Sequence, residues 1–109
     1  MHRFIDLFCG IGGFRIALEK EGCECVFSSE IDTHASEAYY KNFNETPQGD
    51  ITKISEKEIP AHDILCAGFP CQSFSLAGHH GGFQDPRGQL FFEIIRIAKY
   101  HKPLSLIHI

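Results

Sequence analysis

Apolar and polar positions alternate along this chain in blocks of two kinds, short runs of strand length and longer runs with helical spacing. Arg3 to Phe8 reads as a short buried strand. Ile11 to Glu21 follows as a helix, with Phe14, Ala17 and Leu18 on one face and Gly22 as its stop. Glu24 to Ser29 is a second strand. Asp32 is placed to cap the next helix, on which Ala35, Ala38, Tyr39 and Phe43 keep helical spacing. Gly49 to Thr52 reads as a turn leading into a short strand, and Ser55 with Glu58 as a capped helical turn ending at Pro60. His62 to Gly68 is an apolar strand and Pro70 to Gly88 a glycine-rich loop. Gln89 to His101 is a helix with Leu90, Phe91, Ile94, Ile95 and Ala98 inward, and Pro103 to Ile109 a last strand.

Strands separated by helices predict an α/β fold with a mostly parallel sheet and helices on both faces. Such sheets bind ligands at the carboxyl ends of their strands, where the strand order reverses. Candidate chemistry is therefore expected just after Phe8, Ser29, Ile51 and Gly68. The composition changes this picture little. In 109 residues, 43% are hydrophobic and 22% charged, as in an ordinary globular domain. No apolar run is long enough to span a membrane, and no secretion signal is visible, so no membrane partner is expected. Five scattered cysteines without a C-x-x-C pair point to reduced thiols and a cytoplasmic location. The net charge of -4 lacks the basic footprint of a domain that grips nucleic acid alone.

The first strand runs into Asp6-Leu-Phe-Cys-Gly-Ile-Gly-Gly-Phe14. Its glycines permit a tight turn and close approach of a ligand to the backbone, and the following helix start offers free amides. About 20 residues on, Glu30 ends the second strand, where a carboxylate can take both hydroxyls of a ribose. A nucleotide cofactor is the natural ligand. Arg15 stands where the dinucleotide fingerprint has its last glycine, which disfavours a nicotinamide cofactor. A tight turn without a ligand is the plainer reading of the glycines alone.

The loop Cys66-Ala-Gly-Phe-Pro-Cys-Gln-Ser-Phe-Ser75 follows the strand that ends near Gly68. Cys71 lies just past the strand end, between Pro70 and Gln72, where a thiol is reachable and close to groups that favour thiolate. Cys66, inside the strand, reads as a small core residue.

Together, Asp6-Leu-Phe-Cys-Gly-Ile-Gly-Gly-Phe14, Gly68-Phe-Pro-Cys-Gln-Ser-Phe-Ser75 and Arg87-Gly-Gln-Leu-Phe-Phe92 resemble consecutive signature motifs of the DNA (cytosine-5)-methyltransferases, in the order and spacing of the bacterial restriction–modification members. The resemblance extends to Pro103. It implies a partial Rossmann-like methyltransferase fold, with residues 1–109 as the first part of a catalytic domain and the target-recognition domain absent. It implies S-adenosylmethionine as cofactor, lined by Phe8, Gly10, Ile11 and Gly13. Glu30 would bind the ribose hydroxyls, Ile31 would pack on the adenine, and Asp50 and Ile51 would address the adenine edge. Gly68, Pro70 and Leu90 would complete this side of the pocket. Cys71 would be the catalytic nucleophile, and Ser75 and Arg87 would reach DNA phosphates. The implied partner is double-stranded DNA with a flipped cytosine, and a cognate restriction endonuclease encoded nearby without direct contact.

The family carries Glu-Asn-Val on the strand after the Lys-Pro that here is Lys102-Pro103. Ile109 falls about where that glutamate belongs, so the 109 residues alone are expected to be inactive. Family relatives that methylate tRNA share Pro-Cys-Gln. A nicotinamide oxidoreductase would use the glycine turn and Glu30 but give Pro-Cys-Gln no task. A regulatory cofactor-binding piece would keep the pocket without transfer. Seven histidines, with His79 and His80 adjacent, lack the spacing of a metal site, and none is expected.

Overall fold

The computed structural model describes residues 2–68 and 86–108. Four parallel strands form one sheet: β1 (Arg3–Leu7), β2 (Glu24–Ser29), β3 (Ile64–Ala67) and β4 (Ser105–His108), in the order β2-β1-β3-β4. Three helices connect them: α1 (Gly13–Lys20), α2 (Thr33–Phe43) and α3 (Pro86–His101). The chain steps outward from β1 to β2, then returns across β1 to β3. The strand order therefore reverses between β1 and β3, and the crevice above their carboxyl ends is where a ligand belongs in this architecture. The expected α/β fold is the one observed.

Both faces of β1 are covered. Ile5 and Leu7 join Leu65, Ala67, Ile94 and Ile97 in the core beneath α3, along with Ile51 and Ile59. Phe4, Asp6 and Cys66 alternate onto the opposite face and are also fully buried. Expectation and structure agree at several ends. The Asp32 carboxylate accepts from the Ala35 amide at 3.1 Å and caps α2. Gly22, at φ 84°, closes α1 in a turn where the Cys23 amide bonds the Leu18 carbonyl.

Other details differ. α1 starts at Gly13 rather than Ile11, and Ala17 is exposed. The buried position of that helix is Arg15, whose guanidinium donates to Glu19 (2.9 Å) and the Tyr39 hydroxyl (3.1 Å), pairs with Glu45, and lies over the Phe43 ring. No strand follows the turn at Gly49. Gln48 makes an isolated bridge to Ser29, and Ile51–Lys53 forms a 3-10 turn because Asp50 accepts from the Thr52 amide and caps it. α3 begins at Pro86, three residues earlier than expected, and buries Ile97 with Ile94, while Leu90, Phe91 and Ile95 are half-buried.

Candidate cofactor site

The carboxyl end of β1 leads into a turn whose shape is fixed by what surrounds it. Phe8 adopts φ 53°, a left-handed conformation that is uncommon for a residue with a bulky side chain. The chain is held there from both sides: Cys9 donates to the Ser29 carbonyl at 3.0 Å, and Gly68 donates to the Leu7 carbonyl at 2.9 Å. Gly68 follows β3 so closely that a Cβ on it would sit 2.7 Å from the Phe8 carbonyl oxygen. The β1 and β3 ends thus meet at a point where only a glycine fits.

The glycines of the turn divide into two kinds. Gly12, at φ 97°, is roofed by α2, and a Cβ there would strike the Phe43 ring at 2.1 Å. Its absence of side chain serves packing between α1 and α2. Gly10 and Gly13 have nothing within 4 Å of where a Cβ would stand, so a ligand can lie against that backbone.

Glu30 joins this turn to the end of β2. One carboxylate oxygen accepts from the Gly10 amide at 2.8 Å and the other from the Asp32 amide at 2.9 Å. Each oxygen keeps a second lone pair, the requirement for receiving two vicinal hydroxyls. Ile31, beside it, is 70% exposed, and Ile11 60%. Apolar side chains standing open on either side of a fixed carboxylate suit a ligand with a flat ring next to a sugar. From Glu30 and Ile31 an open groove of about 520 Å³ runs along Ser36 and Tyr40 of α2 to Pro47 and Gly49.

Asp50 and Ile51 follow Gly49 in the chain, just past the residues that line this groove. The Thr52 hydroxyl (2.7 Å) and amide (3.0 Å) both donate to Asp50, and they hold its carboxyl below the usual carboxylate range. The Ile51 side chain points away, buried at 3% exposure in the core. Only its backbone can meet a ligand, and as the first amide of a 3-10 turn it has no partner within that turn. Leu90 lies half-buried on the first half of α3. Arg87 is in the first turn of that helix. Pro70, Cys71 and Ser75 lie outside the described residues.

Two thiols near the turn are poor nucleophiles. Burial pushes the Cys9 thiol far up, and burial with the neighbouring Asp6 charge pushes Cys66 up to about 12. The sequence reading of Cys66 as a core residue holds, since it is fully buried. Sequence reasoning passed over Asp6. It is fully buried, and neither oxygen has a hydrogen-bond partner. Burial drives its pKa up to about 7, against the pull of the Arg15 charge and with the push of Glu30. An apolar run with one acid in its middle was the only signal.

A reversed strand order, an open glycine turn and a carboxylate at the end of the neighbouring strand are the arrangement of the doubly wound α/β class. Comparison with known proteins narrows it. The family model for C-5 cytosine-specific DNA methylase matches residues 2–108, and the chain belongs to that family. The chain is 62% identical over 101 residues to Type II methyltransferase M.HhaI of Haemophilus parahaemolyticus, covering 93% of this chain and 31% of that protein. With Type II methyltransferase M.DsaV of Dactylococcopsis salina the identity is 57% over 105 residues, covering 96% and 30%. The chain thus spans about a third of the length of these curated relatives. Among solved structures, the S. pombe Dnmt2 methyltransferase superposes with a TM-score of 0.73 at 24% identity, over 100% of this chain and 36% of that one, a likeness of fold.

Proposed function

We propose that this chain supplies the cofactor pocket and the attacking thiol of an S-adenosylmethionine-dependent methyltransferase acting on carbon 5 of cytosine in DNA, of restriction–modification type. The observation that carries the cofactor half is the Glu30 carboxylate fixed against the Gly10 amide beside open backbone. Glu30 takes the ribose hydroxyls, and Phe8, Ile11 and Ile31 enclose the adenosine. Asp50 accepts from the adenine amino group and the Ile51 amide donates to the adjoining ring nitrogen. Gly10 and Gly13 let the ligand lie against backbone, with Gly68, Pro70 and Leu90 closing this side. When bound, S-adenosylmethionine supplies an electrophilic methyl group on a sulfonium sulfur.

Carbon 5 of cytosine attacks such a methyl group poorly. The Cys71 thiolate adds to carbon 6, forming a carbon–sulfur bond while ring nitrogen 3 takes a proton. Carbon 5 is then enamine-like and accepts the methyl group. Loss of the carbon-5 proton to a base expels the thiolate, and release of the proton taken up at nitrogen 3 restores the ring. The cytosine must leave the helical stack for this attack, and Ser75 and Arg87 fit contacts to the flanking phosphates. Family membership and the raised pKa of Cys66 support the choice of Cys71.

The test uses the full-length protein. Calorimetry should show binding of S-adenosylhomocysteine and none of NAD, and labelled methyl groups should appear on carbon 5 of cytosine in duplex DNA. Binding of NAD in preference, or label in tRNA alone, would replace this reading.

A further inference from the structure

The 3-10 turn that Asp50 and Ile51 begin is held at both ends. Asp50 caps the 3-10 turn at its start. At its far end, one guanidinium from α3 takes the Ile54 carbonyl and shares the Ile51 carbonyl with the Ile54 amide that closes the turn. Arg96 donates through Nη1 to the Ile54 carbonyl at 3.0 Å and through Nη2 to the Ile51 carbonyl at 3.1 Å. Its fork is itself anchored, by Glu56 Oε1 at 2.7 Å and by Glu93 Oε1 at 3.1 Å, one turn earlier on α3. Ile94 and Ile97, two positions before and one after Arg96 on α3, pack in the same core as the Ile51 side chain. The His101 ring, further along α3, is 2.8 Å from the Glu56 carbonyl. α3 therefore grips residue 51 by side chain and by carbonyl, and leaves only its amide facing outward.

We infer that Arg96 is a positioning residue for adenine recognition: it sets the Ile51 amide and the Asp50 carboxylate at the spacing that reads the amino group and ring nitrogen of adenine. The inference rests on the cofactor reading above. A lysine keeps the charge at this place but not the fork, because one ammonium cannot span two carbonyls and two carboxylates in a plane. Adenine presents a donor and an acceptor on this edge, and hypoxanthine presents the reverse. A site built to pair with the first rejects the second strongly.

The experiment measures Kd for S-adenosylhomocysteine and S-inosylhomocysteine in the full-length protein, its Arg96→Lys and Arg96→Ala forms, and Glu56→Gln, which keeps Arg96 but loosens its anchor. The unmodified protein should prefer the adenosyl ligand by ~100-fold or more. Arg96→Lys should cut that preference by about tenfold, with the loss falling on the adenosyl ligand, and Glu56→Gln should act in the same direction. KM for S-adenosylmethionine should rise while kcat at saturation stays within about twofold, the pattern of lost uniform binding. Equal weakening of both ligands, an unchanged ratio in folded variants, or a fall in kcat with KM unchanged would overturn the role of Arg96 alone. An unmodified protein that binds neither ligand would instead overturn the cofactor reading.

Discussion

Glu30 and Gly10, twenty residues apart, meet through a 2.8 Å hydrogen bond from the turn amide to the carboxylate. The bond ties the end of β2 to the turn after β1, and the second oxygen of Glu30 takes the amide of Asp32, two residues on. The carboxylate is thereby placed before any ligand arrives, so little ordering has to accompany binding.

Removing that carboxylate should therefore be expensive for the cofactor. Glu30→Ala in the full-length protein should weaken S-adenosylhomocysteine by one or two charge-assisted hydrogen bonds, about 1.5–3 kcal/mol each. Calorimetry checks it, and an unchanged Kd would take Glu30 out of the site.

Gly68 and Gly13 should respond oppositely to alanine. At Gly68 the new methyl would meet the Phe8 carbonyl oxygen at 2.7 Å, a backbone atom just past the end of β1. Gly68→Ala should cost ~1–3 kcal/mol of stability, as overpacking does. At Gly13 the space is open. Gly13→Ala should stay within about 0.5 kcal/mol in denaturant unfolding and weaken the cofactor, because the methyl occupies the ligand's approach.

Much of this was legible in the residues themselves. Glu30 at the end of β2, the Asp32 cap and the Gly22 stop follow from local chemistry that tertiary structure did not override. Arg15 was read as a departure from a ligand motif. In the structure it is a buried link between α1 and α2, because two glutamates and the Tyr39 hydroxyl receive it, and those partners are 4, 24 and 30 positions away. Periodicity sees only the residue's own helix. The same limit hid Arg96, whose carbonyl partners lie more than 40 positions earlier. The turn read over Gly49 to Thr52 was expected to lead into a short strand, but the Asp50–Thr52 cap holds locally and the chain continues as a 3-10 turn over Ile51–Lys53.

Asp6 gives the protein a pH dependence of a definite sign. Its pKa rises from 3.8 to about 7 on folding. Between these values the folded chain keeps a proton that the unfolded chain has lost, so this group's contribution to stability is full below pH 3.8 and is lost as pH rises through about 7. Asp6→Asn removes the proton linkage. Relative to the unmodified protein, the variant should gain ~1–3 kcal/mol between pH 5 and pH 8. Urea unfolding of both proteins across that range checks it, and parallel stability curves would show that Asp6 does not titrate there.

The central claim is the covalent attack by Cys71, and a mechanism-based trap tests it most directly. Full-length protein is incubated with S-adenosylmethionine and duplex DNA carrying 5-fluorocytosine at the methylated position. Fluorine cannot leave carbon 5 as the proton does, so thiol addition and methyl transfer proceed but elimination stops. The expected result is a denaturation-resistant protein–DNA adduct that peptide mapping places on Cys71, absent in Cys71→Ser and dependent on the methyl donor. An adduct on Cys66 or Cys9, or methyl transfer to ordinary cytosine that survives Cys71→Ser, would contradict the account.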